Sequence, residues 1–145
     1  MLTKNSFVRL LLSGGLLIAL TACQSTPTLT AASLAGKNLM WQDGANEHCE
    51  IPPSIHFAAD GRVSGDAGCN RLLGSYEQKG AQLDLSHLGS TKRLCGPKLM
   101  EVENAFLNHL SKTRYAVAKG DNVILLDENK KPLITLVPER LGACD

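Results

Sequence analysis

The residues of this 145-residue chain best suited to chemistry stand in one short stretch, "GDAGCNRLLGSY" at residues 65–76. A cysteine among three glycines, beside an asparagine and an arginine, has three chemical uses: nucleophile, metal ligand or disulfide partner. A zinc site asks for Cys and His at short spacings. The chain has no CxxC and no HxxxH, and its histidines, His48, His56, His87 and His109, are scattered. Cys49 beside His48 is the nearest approach to a ligand pair, so no metal is expected. Cys69 with His87 is compatible with a nucleophile pair, because such partners meet in space rather than in sequence. The nucleophile elbow GxSxG is absent, and the glycine loop lacks the Lys-Ser/Thr ending that cradles phosphate. Asp84 with Glu101 or Glu103 would be a carboxylate pair, but Asp84 falls on the outward slot of an alternating strand and both glutamates suit a solvated helix turn. No catalytic residue is assigned, no cofactor is implied, and the chain is read as a non-enzyme.

The compartment bears on how Cys69 is used. Lys4 and Arg9 precede the apolar run "LLLSGGLLIAL", whose length suits a secretory signal rather than a membrane span. The run ends in "LTAC", which resembles a bacterial lipobox and implies cleavage before Cys23 with lipid on that cysteine. Residues 1–22 are therefore expected to be a lipoprotein signal peptide. Cys23 and the polar, proline-containing residues up to 33 are expected to be the lipidated anchor and a flexible tether, and 34–145 the folded domain. Gln24 rather than Asp after the cysteine favours the outer membrane, with the domain facing the periplasm. Cys49, Cys69, Cys95 and Cys144 then form an even set in an oxidising compartment, where disulfides are the usual outcome and three pairings are open. An oxidising compartment also disfavours the free thiol that a nucleophile needs. With 15 Lys and Arg against 14 Asp and Glu, and few aromatics, nothing draws the chain toward nucleic acid.

The elements that would position these residues follow from periodicity. "LAGKNLMWQD" reads as a first strand carrying Trp41, the only tryptophan, as a core anchor. "GANEHCEIPP" is an irregular loop, because its tandem prolines preclude helix. "SIHF" and "RVSG" alternate around Asp60-Gly61 as a hairpin, and "SYEQKGAQLDLSHL" forms a second one turning at Lys79-Gly80. The glycine stretch is expected to be the loop between them. Gly96-Pro97 open a helix in which Leu99, Val102, Phe106 and Leu110 recur at three and four residues, with Glu101 and Glu103 toward its positive end and Lys112 at its negative end. "RYAVAK", "NVILLD" and "PLITLVP" are three further strands. The fold class is α+β: a curved, partly open antiparallel sheet or half-barrel of about seven or eight short strands, with one helix packed across it.

Taken in order, "LAGKNLMW", "VSGDAGCNRLLGSY", "STKRLC", "EVENAFLNHL" and "NVILLD" resemble the META domain family, also called HslJ-like, over most of residues 34–137. The residues that carry the resemblance are Gly68, Cys69, Asn70, Arg71, Gly74, Tyr76, Thr91, Lys92 and Cys95. Members of that family are often envelope lipoproteins, some linked to heat stress or antibiotic tolerance, without established enzymatic activity. The resemblance implies a structural role for these residues. Within it, a Cys69–Cys95 bond would tie the glycine loop to the start of the helix, leaving Cys49 and Cys144 to hold the C-terminal tail. The expected partners are the membrane, through Cys23, and an envelope protein or lipid ligand. Three functions are in view. The first is a binding or scaffolding lipoprotein with an apolar groove between sheet and helix. The second is an inhibitor of a hydrolase such as lysozyme or a peptidase, acting through "GANEHCEIPP". The third is a binder of lipid or peptide like the lipoprotein pilots of secretins.

Overall fold

The computed structural model describes residues 29–44 and 51–140. Among the described residues, ten short strands and one helix follow the alternation and the helical period of the sequence: β1 (Lys37–Trp41), β2 (Ser54–Phe57), β3 (Arg62–Asp66), β4 (Arg71–Ser75), β5 (Glu77–Lys79), β6 (Gln82–Asp84), β7 (Gly89–Ser90), α1 (Pro97–Lys112), β8 (Tyr115–Lys119), β9 (Asn122–Leu126) and β10 (Pro132–Pro138). They form one antiparallel sheet in the order β5-β6-β8-β9-β10-β1-β2-β3-β4-β7. Tyr76 alone separates β4 from β5, so the two ends of this order lie together and the sheet curls into a half-barrel.

The count of ten exceeds the seven or eight expected because two extended runs are interrupted. One breaks at Tyr76, the other at residues 85–88 between β6 and β7. Gly74 shows why the break falls there, since a Cβ on it would overlap the His87 carbonyl oxygen. The second strand run can cross the first at that point only over a residue without a side chain.

The inner face of the curl is the core. Leu39, Ile55, Phe57, Val63, Leu72, Leu83, Val123, Leu125 and Leu136 are buried on it, at alternate positions along their strands. Helix α1 lies across one end of the curl and drives Phe106 and Leu110 into this cluster. Trp41, the last residue of β1, stacks on Phe106 with ring centroids 5.9 Å apart and meets the edge of His109 at 5.6 Å. Its expected role as a core anchor is thus met from the rim of the core, half-buried. Pro97 is the first helical residue after Gly96, and His109 and Lys112 lie in the last turn. No acidic residue stands in the first turn, so the expected dipole pairing of Glu101 and Glu103 is not made, and Lys98 occupies that turn instead.

Two expectations are corrected. The glycine stretch is not a loop between hairpins: β4 occupies its second half, and the turn is confined to residues 67–70, closed by Ala67 N–H donating to Asn70 C=O at 2.8 Å. Leu72 points inward while Arg71 and Leu73 remain exposed, which is the alternation of a strand. The tether does not extend to 33 either. Ala31 bridges Val117, Ala32 N–H donates to Ala116 C=O, and Ala32 is 2% exposed. Small side chains leave the backbone there free to complete the exposed edge of β8, a contact that hydrophobic periodicity does not register.

Candidate functional site

The residues of the glycine motif converge on the N-terminal half of the helix. Gly68 adopts φ +123°, a conformation that side chains rarely enter, and brings the turn against the helix: a Cβ there would stand 3.4 Å from the Leu99 carbonyl oxygen and 3.6 Å from the Glu103 Cα. The next two backbone N–H groups then face Glu103. Cys69 N–H donates to Glu103 Oε2 at 3.1 Å, Asn70 N–H to the same oxygen at 2.6 Å, and Asn70 Nδ2 to Oε1 at 2.9 Å. Glu103 is only 4% exposed, which corrects the solvated helix turn expected for it. Its helical spacing from Leu99, Phe106 and Leu110 places it on the apolar stripe, and this was the signal available to find it.

Asn70, itself buried, faces both ways. Its Oδ1 accepts Arg93 N–H at 2.6 Å and Thr91 Oγ1–H at 3.0 Å, and its Nδ2 also reaches the Arg93 carbonyl at 3.2 Å. The Arg93 guanidinium donates to the Cys69 carbonyl at 2.6 Å, and Arg71 N–H donates to Thr91 Oγ1 at 3.0 Å. Cys69 and Cys95 are joined by a disulfide with Cα atoms 5.9 Å apart. Cys69 therefore carries no free thiol in this state, and the nucleophile use with His87 does not arise. Arg93 and Glu103, neither of them among the expected motif residues, are the two additional members of the site. Residues 91–96 end up as an exposed arch held from below by residues 69 and 70, and Leu94 at its crest is 94% exposed.

The other motif residues lie apart. Tyr76 donates its hydroxyl to the Ala58 carbonyl at 3.0 Å and meets Phe57 edge-on at 5.0 Å, bracing the β2–β3 turn; burial, then the nearby Asp60 charge, raises its phenol above the ordinary value. Lys92 is exposed on the flank of the arch. Asp84 is exposed and Glu103 buried, so they form no carboxylate pair; the Ser86 side chain and backbone N–H hold the Asp84 carboxyl below its usual range. Among the described residues no three His, Cys, Asp or Glu side chains gather as metal ligands. Cys23, His48, Cys49 and Cys144 lie outside the described residues, so lipidation and the second disulfide are outside them too.

A second feature opens where β6 leaves β8. The two strands pair at Gln82 and Tyr115, and beyond Leu83, whose N–H donates to Arg114 C=O, they diverge. An open groove of about 1010 Å³ follows, with Leu85, Leu88, Leu107 and Leu110 along its floor and Lys92 and Arg114 on its rim. Thr91 N–H pairs with Arg71, so strand alternation turns the N–H and C=O of Ser90 away from β4 and toward this groove.

Fold and site together define a small α+β domain in which a curled antiparallel meander carries one helix clamped by a disulfide-braced glycine turn. The META domain family model matches residues 28–139, and the chain belongs to that family. No curated protein matches the chain. Among solved structures it is similar to a protein from Burkholderia xenovorans, at 20% identity over 74% of this chain and 85% of that one, TM-score 0.61. It is also similar to a DUF4847 family protein from Bacteroides vulgatus, at 15% identity over 75% and 96%, TM-score 0.56. A third similar structure, solved by NMR, is 22% identical over 72% and 91%, TM-score 0.56. At these identities the likeness extends to the fold alone.

Proposed function

We propose that the protein is a non-enzymatic binding or scaffolding lipoprotein of the bacterial envelope, anchored through Cys23 to the outer membrane, that holds an extended peptide segment in the groove beside β6 and β7. The observation that carries the reading is the gap between β6 and β8, where a leucine floor lies beside an unpaired strand edge. A peptide strand can satisfy that edge with its own backbone while its alternate side chains reach Leu88 and Leu107. An acyl chain would cover the leucines but leave the outward N–H and C=O of Ser90 without hydrogen-bond partners, a cost of about 1–3 kcal/mol for each group so buried. The family resemblance suggests envelope or heat stress as the setting.

The test is an amide NMR titration of the purified protein with peptides of alternating apolar and polar residues, and in parallel with a single-chain phospholipid. Saturable shifts at Leu88, Ser90 and Leu107 with peptide alone support the reading. The same shifts with phospholipid alone would replace the peptide by lipid. Silence with both would remove the groove as a binding site.

A further inference from the structure

The arch at residues 91–96 meets the groove only at Lys92, on the rim, and combines features that groove binding does not use. Leu94 is 94% exposed, although burial of a leucine side chain is worth about 1.5–3 kcal/mol. It is flanked by Lys92 and Lys98, and no acidic residue stands between Asp84 and Glu101. The segment has no regular secondary structure, yet it is held rigidly. Asn70 bonds both the N–H and the C=O of Arg93, the Arg93 guanidinium returns to the Cys69 carbonyl, and the disulfide fixes Cys95. A preorganised, exposed segment with one apolar side chain at its crest loses little conformational entropy on entering a cleft.

We propose that residues 91–96 are a substrate-like inhibitory loop that enters the active-site cleft of a serine peptidase, with Leu94 in an apolar specificity pocket and the flanking lysines against an acidic rim. In acylation the peptidase serine Oγ bonds to the Leu94 carbonyl carbon, the Leu94–Cys95 C–N bond breaks, and the serine proton passes through the peptidase histidine to the Cys95 amine. The two new ends cannot separate. The acyl side is held at Arg93 by Asn70, and the amine side is bonded through its sulfur to Cys69, the neighbouring residue. The Cys95 amine therefore remains beside the ester and re-forms the amide, which leaves the peptidase occupied rather than turned over.

The experiment titrates the full-length protein in detergent against chymotrypsin, which accepts leucine, and against trypsin, which requires a basic residue. Residual activity is followed, together with the mass of the recovered chain. Wild type is expected to inhibit chymotrypsin and not trypsin. Leu94→Asp is expected to weaken that inhibition at least about 30-fold, the size of an interface hot spot, and Leu94→Lys to transfer inhibition to trypsin. Leu94 is exposed, so neither change threatens folding. Rapid complete cleavage at 94–95 without inhibition would overturn the proposal. So would inhibition indifferent to residue 94, or no inhibition by wild type together with none of trypsin by Leu94→Lys.

Discussion

At the scale of single residues, Glu103 is the side chain on which the glycine turn depends. Three donors from Cys69 and Asn70 end on its carboxylate in a buried position. Glu103→Ala would remove the acceptor for all three, and the expected loss is about 3–5 kcal/mol, because each buried donor left unsatisfied costs about 1–3 kcal/mol and Asn70 Nδ2 keeps the Arg93 carbonyl. Glu103→Gln keeps the shape but turns one acceptor into a donor facing donors, for an expected loss of about 1–3 kcal/mol; urea unfolding of both variants gives the comparison. His109 makes a second prediction. Burial, and after it the Lys112 charge, lower its pKa from 6.5, while its ring meets the edge of Trp41. The unfolded chain therefore binds this proton at higher pH than the folded one. The stability that depends on the neutral ring is complete above about pH 6.5 and declines as pH falls through the lower folded value. Trp41 is the only tryptophan, so its emission is expected to titrate with a midpoint below 6.5 in the wild type and to lose that transition in His109→Gln.

At the scale of elements, the disulfide and the helix share one task, which is to hold residues 91–96 against the turn at 67–70. The bond spans 26 residues, and chain entropy puts its contribution at about 3.5 kcal/mol. Cys69→Ala with Cys95→Ala is expected to lower unfolding stability by about that amount. Native-state hydrogen exchange should show the accompanying rise in opening concentrated in residues 91–96, because Phe106 and Leu110 still anchor the helix. The helix itself was legible in sequence through the recurrence of Phe106 and Leu110 and through Pro97 at its start. The direction of Glu103 was not read, because a charge on a helix is solvated by default and only the turn brought over it by Gly68 makes burial tolerable. The break between β6 and β7 was equally hidden. It depends on the approach of His87 to Gly74, a contact between strands rather than a property of either.

At the scale of the whole molecule, the pairing of Ala31 and Ala32 with β8 shortens the link between the proposed anchor and the domain. Six residues remain between Cys23 and Thr30, and a fully extended chain of that length spans about 20 Å. The domain is therefore expected to stay within that reach of the bilayer. Metabolic labelling with an alkyne fatty acid should mark the wild-type chain and not Cys23→Ser. In the labelled form, crosslinks from the domain to lipid headgroups should fall when a flexible insert of about 20 residues follows Gln24.

The sequence by itself determined the α+β class, the hairpin around Asp60-Gly61, the helix and the inward positions of Ile55, Phe57, Phe106 and Leu110, because periodicity reports which face of an element is buried. Motif order also pointed to the family. Tertiary structure alone decided that Glu103 bonds the glycine turn, that Asn70 and Arg93 brace a segment whose leucine faces solvent, and that a groove opens beside β6. Each of these depends on where two distant segments meet, over 33 residues for Asn70 and Glu103 and 23 for Asn70 and Arg93. Hydrophobic periodicity records the environment of a residue's own element and carries no record of such meetings.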